Sequence, residues 1–80
     1  MPYYLFEWND VRLEKLELNN IDPDDFERIV KNPDSTTMSR SSGRPIAFGV
    51  DDNGDEIACI YELDEDGLVV SPITAYYTGN

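Results

Sequence analysis

Residues 21–33 of this chain, which read IDPDDFERIVKNP, decide its fold class. Asp22 is a good N-cap, and Pro23 fits the first position of a helix because the N–H that it lacks would have no partner there. Apolar residues then recur at positions i, i+3 and i+4 and predict one buried face, formed by Phe26, Ile29 and Val30. Asn32 and Pro33 end the pattern, so the stretch predicts a helix with defined ends.

The apolar period changes to two after Pro33 and predicts strands. Three strands are expected at residues 46–50, residues 57–63 and Leu68–Tyr76, and Ser35–Ser39 is either a further strand or an extended approach to one. The turns between them are expected at Ser41–Gly43, at Asn53-Gly54 and at Glu65–Gly67. Pro72 in the last segment indicates an edge strand or a bulge.

The residues before Asp22 add one strand and one helix. Tyr3–Trp8 is rich in aromatic residues and predicts a first strand. Asn9 or Asp10 caps a helix that continues to about Leu18, and its apolar stripe is Leu13 and Leu16. Asn19-Asn20 then breaks the helix.

These elements predict one α+β domain over residues 1–80, in which two N-terminal helices pack on one face of an antiparallel sheet of four to five strands, as two layers. The predicted core consists of Phe6, Leu13, Leu16, Phe26, Ile29, Val30, Ile46, Phe48, Ile57, Cys59 and Tyr61.

The composition excludes several classes of function. Six Lys and Arg residues against seventeen Asp and Glu residues give a net charge of −11, so the chain lacks the basic surface that neutralises nucleic-acid phosphates. With no histidine and one cysteine, one chain has neither a Cys/His zinc site nor a histidine-based nucleophilic site. We expect neither a cofactor nor a metal.

The single cysteine, Cys59, precludes an internal disulfide and favours a reducing cytoplasm. The first residues have no basic segment before their apolar run, which is not typical of a signal peptide. No apolar stretch approaches the ~20 residues of a membrane helix, so we expect no membrane association.

Several short segments, taken in order, resemble a known family. They are Phe6-Glu7-Trp8-Asn9, Ile21–Glu27, Asn32-Pro33-Asp34, Gly43-Arg44-Pro45, the Asn53-Gly54 loop, Tyr61 and Ile73-Thr74-Ala75-Tyr76. Their order and spacing over about residues 6–77 resemble the BrnT family of small type II toxins, which have a RelE-like ribonuclease fold. The resemblance implies this fold and, for typical members, RNA cleavage and a small antitoxin that covers the basic catalytic face.

Two of the four functional positions of that family keep their basic residue in this chain. Arg12 and Arg44 match two basic positions of the family. Asn19 stands where the family has a histidine, and Tyr76 stands where it has an arginine on the last strand. The resemblance therefore predicts the fold together with a loss of ribonuclease activity.

Metal-free RNA cleavage needs a proton acceptor and cations that stabilise the phosphorane. The candidate catalytic residues are Arg12, Arg40, Arg44 and Tyr76. Two of these arginines flank a turn whose backbone amides are candidates for holding an anion, formed by Ser41, Ser42 and Gly43. The alternative is that the arginines are surface partners of the many carboxylates.

Two acidic loops, which we expect to project from adjacent hairpin ends as one contact face, form the second candidate site. The expected contact residues for a basic protein partner are Asp51, Asp52, Asp55, Asp64 and Asp66. The alternative is that these are ordinary solvated hairpin loops. Glu62–Gly67 imitates the first half of a calcium loop, but Ile73 stands at the twelfth position, where calcium needs a bidentate glutamate.

Three hypotheses for function follow. The first is a BrnT-like protein without ribonuclease activity that acts through a protein partner or is a structural remnant of a toxin. The second is a weak, metal-independent ribonuclease. The third is an acidic decoy that occupies the nucleic-acid surface of a basic protein. A basic protein partner is favoured over nucleic acid, and the oligomeric state is not predicted.

Overall fold

A computed structural model describes residues 4–79, which form two helices and one five-stranded sheet. The elements are β1 (Leu5–Phe6), α1 (Asp10–Leu18), α2 (Pro23–Lys31), β2 (Ser35–Met38), β3 (Pro45–Val50), β4 (Glu56–Leu63) and β5 (Val69–Tyr77). The strand order across the sheet is β1-β5-β4-β3-β2. This confirms an α+β fold with two N-terminal helices in a two-layer arrangement. Tyr3, the start of the predicted first strand, lies outside the described residues.

The sheet is mixed, so the prediction of a purely antiparallel sheet is wrong. β1 pairs parallel with β5, and Leu5 lies opposite Val69. The Leu5 N–H donates to the Leu68 carbonyl at 2.8 Å, and the Glu7 N–H donates to the Val70 carbonyl at 2.9 Å. Both helices separate β1 from the later strands, so no hairpin forces it to run antiparallel. The other three strand pairs are antiparallel, as predicted.

Both helices begin where the sequence predicts. The Asn9 side chain accepts a hydrogen bond from the Arg12 N–H at 2.9 Å and caps α1. The Asp22 side chain accepts from the Asp24 N–H at 2.8 Å and caps α2, with Pro23 in the first turn. Asn20, at φ 59°, turns the chain after α1. These local signals fix the helix ends before any tertiary contact is considered.

The core lies between the helices and the sheet. α2 buries all three residues of its predicted face and packs on β3 and β4, whereas α1 packs along β5 and buries Leu16. Leu13 is 37% exposed, which corrects its predicted place in the core. The reason is geometric: the turn of α1 that faces β5 carries Leu16 and Asn19, and the Asn19 Nδ2 donates to the Ala75 carbonyl at 2.7 Å.

β3 faces the helices with its small residues, the reverse of the prediction. Ala47 and Gly49 are buried, while Ile46 and Phe48 are half-buried on the opposite face of the strand. A Cβ atom added to Gly49 would lie 2.7 Å from Ile29 Cγ1. α2 therefore approaches the sheet so closely that large side chains must point to the other face.

The central strand β4 is buried as predicted, with Ile57, Cys59 and Tyr61 in the core. Phe6 is partly buried and packs against this core. The pairing of β4 with β5 changes register where Ile60 opposes Thr74 and Tyr61 opposes Pro72. This leaves Ile73 as a bulge, which confirms one of the two alternatives indicated by Pro72.

The core also includes residues that the sequence pattern did not identify. They are Ile21, Ala47, Val70 and Ala75; Ala58 is also buried, on the opposite face of the sheet beside Phe48. No helix within residues 4–79 is both long enough and apolar enough to cross a membrane.

Candidate functional site

Three cationic side chains line one groove beside α1. The groove has a volume of about 520 Å³ and lies between the start of α1, the start of β3 and the β5 bulge. Its lining residues are Asn9, Val11, Arg12, Lys15, Arg44 and Ile73. Half of the six Lys and Arg residues of this acidic chain therefore meet at one place.

Each arginine of the groove also has a partner within the chain. The Arg12 Nη1 donates to the Glu7 carbonyl at 3.3 Å, and the Arg44 Nε lies 2.6 Å from Glu62 Oε1. The side chains of Arg44 and Glu62 are 40% and 50% exposed. Such an exposed ion pair contributes about 0–1 kcal/mol, so an incoming anion can displace Glu62 at little cost.

The groove lacks a group that exchanges protons near neutral pH. None of its lining residues is a carboxylate, a histidine, a cysteine or a tyrosine. The carboxylate of Glu62, which contacts the groove residue Arg44, is held in an ion pair by that guanidinium. Asn19 stands at the family's histidine position, and its side-chain amide donates a hydrogen bond to the Ala75 carbonyl. The lining therefore supplies three cations but no base.

The structure does not bring the other two candidate catalytic residues to the groove. Tyr76 lies opposite Ala58 on the sheet face that also carries Phe48, and it is 43% exposed. Arg40 is exposed in the turn between β2 and β3. Neither is among the groove's lining residues.

The turn of Ser41, Ser42 and Gly43 uses its polar groups internally. The Gly43 N–H donates to the Ser39 carbonyl at 2.8 Å. The Ser42 N–H is directed at Ser39 Oγ and the Arg44 N–H at Ser42 Oγ, each at 3.4 Å. Because these amides point into the turn, the geometry does not support the anion cradle that the sequence suggested.

Two of the acidic candidates organise their own loops. Asp51 Oδ1 accepts from the N–H groups of Asn53 and Asp55 at 2.9 and 3.0 Å. Asp64 Oδ1 accepts from the N–H groups of Leu68 and Val69 at 2.8 and 3.0 Å. The bond from Asp55 lowers the pKa of Asp51 most, and the bond from Val69 lowers the pKa of Asp64 most. Both carboxylates therefore have a structural role.

The two acidic loops do not form one contact face, contrary to the expectation that they project from adjacent hairpin ends. The loop with Asp51, Asp52 and Asp55 precedes β4, and the loop with Asp64 and Asp66 follows it. β4 has 8 residues, which at ~3.4 Å per residue separates the loops by roughly 24 Å. Within residues 4–79, no group of three possible metal-ligand side chains is found.

The loop with Asp51, Asp52 and Asp55 is part of a larger acidic surface that also includes Asp25 and Tyr77. We call this surface the acidic end of the molecule. The Tyr77 hydroxyl donates to Asp51 Oδ2 at 2.9 Å, and this bond is the main cause of a raised Tyr77 pKa. Asp55 and Asp25 raise that pKa further through their charge. The Arg28 Nη2 joins α2 to this end by donating to Asp25 Oδ1 at 3.2 Å and to the Val50 carbonyl at 2.7 Å.

Sequence reasoning missed Lys15 and Tyr77 as parts of these two surfaces. Lys15 lies three residues after Arg12 in a helix, so helical spacing could have placed both on one side. Tyr77 is far from Asp51 in sequence, and no local signal joins them.

Cys59 is not a reactive site. It is fully buried in β4, and burial raises the pKa of its thiol to about 12. This confirms its predicted role as a small apolar residue of the core.

In comparisons with known proteins, no family model, no curated protein and no solved structure matches the chain.

Proposed function

We propose that this chain is a BrnT-like domain of the RelE type that has lost ribonuclease activity and acts by binding a basic protein partner. One observation carries the loss of activity: the groove that gathers Arg12 and Arg44 has no proton acceptor. The order of the elements supports the fold assignment, because two short helices precede a run of antiparallel strands, as the resemblance implies.

Cations alone do not cleave RNA efficiently. Attack by the 2′-hydroxyl needs removal of its proton, and general base catalysis contributes typically ~10²–10⁴-fold to the rate. Asn19 cannot supply this step, since an amide does not titrate in the physiological range. In addition, a polynucleotide that approaches the groove meets the field of a domain with a net charge of −11.

The acidic end supports a basic partner. Asp25, Asp51 and Asp55 surround Tyr77, and Asp52 and Glu56 lie in or next to the same loop. Arg28 is a cation in this region, and it is already bound to Asp25 and to the Val50 carbonyl. Association with a basic surface is therefore accelerated by long-range attraction and weakens as salt rises.

The loss of activity is tested with purified protein and RNA, both free and on ribosomes. We expect the transcripts to stay intact. Cleavage that disappears in an Arg44→Ala variant would contradict the proposal. The second candidate function is a weak, metal-independent ribonuclease. The observation that favours it is that Arg12 and Arg44 line the same groove.

The partner is tested with two variants of equal charge change. Asp52→Asn/Asp55→Asn neutralises the loop at the acidic end, and Glu65→Gln/Asp66→Asn neutralises the loop at the other end of β4. Both variants leave the loop-forming Asp51 and Asp64 intact. We expect the first pair to weaken binding to the protein that co-purifies and to reduce its salt dependence, and the second pair to change neither. Equal effects would show that only total charge matters.

The same experiment separates a third candidate, the acidic decoy. A decoy occupies the nucleic-acid surface of its partner, so added DNA or RNA competes with it for that surface. Binding that nucleic acid does not displace is an ordinary protein–protein contact.

A further inference from the structure

The loop between β3 and β4 contains an asparagine that is followed by a glycine, Asn53-Gly54. Glycine has no Cβ atom, so its backbone nitrogen is unhindered when the preceding side chain approaches it. The other asparagines within residues 4–79 are followed by residues that carry a side chain; they are Asn9, Asn19, Asn20 and Asn32. The amide of Asn53 is therefore the one most open to attack by the next backbone nitrogen.

The surroundings of Asn53 leave its side chain free to move. It is exposed, and within residues 4–79 no hydrogen bond of its side-chain amide is found. Gly54 is also exposed, with φ 83°, and apart from its chain neighbours no atom lies within 4 Å of the place that a Cβ would occupy. By contrast, the side chain of Asn9 caps α1, and that of Asn19 donates to the Ala75 carbonyl.

We propose that Asn53 is a site of spontaneous deamidation and that Asp51 controls its rate. The Gly54 backbone nitrogen forms a bond to Asn53 Cγ, the Cγ–Nδ2 bond breaks, and the amide proton of Gly54 leaves with the nitrogen as ammonia. The product is a cyclic imide. Water then hydrolyses either of its two carbonyl groups, which yields aspartate or isoaspartate at position 53. Water is the sole co-reactant.

Asp51 holds the turn closed against this reaction. The Gly54 N–H donates to the Asp51 carbonyl at 3.0 Å, so the turn must open before that nitrogen can attack. The Asp51 carboxylate accepts from the N–H groups of Asn53 and Asp55, and from the Tyr77 hydroxyl at 2.9 Å. These bonds tie the turn to β5. The population of the open turn, and with it the rate of deamidation, falls as they become stronger.

The products change the acidic end in two ways. The new carboxylate adds one negative charge to the loop that already carries Asp51, Asp52 and Asp55. Isoaspartate also carries the main chain through its Cβ and Cγ atoms, which lengthens the turn by one methylene group. The Asp55 N–H then no longer fits the position of Asp51 Oδ1, so the loop loses part of its cap. The reaction needs no binding partner and is therefore independent of the proposed function.

The test is incubation of the folded protein in mildly alkaline buffer, followed by intact-mass and tandem mass spectrometry. We expect the mass increase that accompanies exchange of an amide for an acid, localised to Asn53, with the aspartate and isoaspartate forms separated by reversed-phase chromatography. The chain unfolded in guanidinium chloride should convert faster, because its Gly54 nitrogen has lost the bond to Asp51. Asn53→Gln should abolish the product, since its side chain must close a larger ring.

Two variants with the same change of charge test the role of Asp51. Asp51→Ala should speed deamidation of the folded chain by about tenfold, whereas Asp64→Ala, which removes the matching cap of the other loop, should leave the rate unchanged. Tyr77→Phe removes one bond to Asp51 and should have a smaller effect. Far-UV circular dichroism checks that each variant is folded.

Three results would overturn the proposal. The first is a folded chain that keeps Asn53 while the unfolded chain converts. The second is a chain that deamidates first at another asparagine. The third is an equal rate in Asp51→Ala and Asp64→Ala, because Asp51 would then not control the turn.

Discussion

Gly49→Ala probes the close packing of α2 on β3. The new Cβ would lie 2.7, 3.0 and 3.3 Å from Cγ1, Cγ2 and Cβ of Ile29. Ile29 is 1% exposed and packed within the core, so its side chain cannot simply move aside. Overpacking of this kind costs about 1–3 kcal/mol, whereas alanine gains about 0.5–1 kcal/mol over glycine in a strand.

The net loss is about 1–2 kcal/mol of unfolding free energy. For a domain of this size, each kcal/mol changes Tm by about 4–8 °C, so we expect a fall in Tm of roughly 5–15 °C. Urea unfolding followed by far-UV circular dichroism gives the free energy, and thermal unfolding gives Tm. An unchanged m-value would show that the native state stays compact.

A double-mutant cycle with Ile29→Ala isolates the contact. Truncation of Ile29 alone costs about 2–5 kcal/mol, but it removes both γ carbons that the new methyl group meets. In that background Gly49→Ala should be neutral or stabilising. The control is Gly54→Ala, which has φ 83° and no atom within 4 Å; its cost comes from backbone strain and should not depend on Ile29. A Gly49→Ala protein as stable as the original would refute the reasoning.

Three further outcomes are expected. Phe26→Ala removes a fully buried ring and should cost about 3–5 kcal/mol in urea unfolding; a Tm near that of the original would show that Phe26 is not central. The pKa values of Asp51 and Asp64 are lowered from 3.8, so their stabilisation is present above pH 3.8 and is lost as the pH falls through the lower folded values; Asp51→Asn and Asp64→Asn should each flatten the acid arm of the stability curve. Cys59, with a pKa raised to about 12, should resist iodoacetamide at pH 8 until the chain unfolds, as intact-mass measurement would show; rapid native labelling would contradict its burial.

The helices were predictable because their signals are local. Asp22 and Pro23 specify the start of α2, and the spacing of its apolar residues specifies the buried face. The ends of α1 were predictable, but its buried face was not, because Leu13 is apolar and yet 37% exposed. A cap acts within one turn, whereas burial depends on which strand the helix meets.

The strand errors have a long-range cause. Alternation of large and small residues in β3 shows two faces, but it does not say which one meets α2. The answer lies in the 2.7 Å approach of Ile29 to the Cβ position of Gly49, across 20 residues of sequence. The parallel pairing of β1 is equally non-local, since Leu5 meets Val69 through a crossover that contains both helices.

The candidate sites were predictable in part. The resemblance identified Arg12 and Arg44, and the structure brings them together with Lys15. The resemblance did not predict where Tyr76 lies. The register of β5 places Tyr76 opposite Ala58. The expectation that the two acidic loops are adjacent was wrong, although the predicted hairpins imply their separation, because two successive hairpin loops must lie at opposite ends of the strand between them.

The ionic partners of the groove limit the ligands that it can take. An anion that binds there replaces Glu62 beside Arg44, and this exposed pair contributes about 0–1 kcal/mol. The free-energy cost of displacing Glu62 from Arg44 is thus small for any anion. The long-range electrostatic repulsion differs between anions, because each additional phosphate of a polynucleotide is repelled by a domain of net charge −11. Screening acts beyond about 8 Å at physiological salt, so a single carboxylate or phosphate feels mainly the three cations, whereas a long polyanion also meets the acidic surface around them. We therefore expect the groove to prefer one small anionic group over RNA, which is the preference that the proposed loss of ribonuclease activity requires.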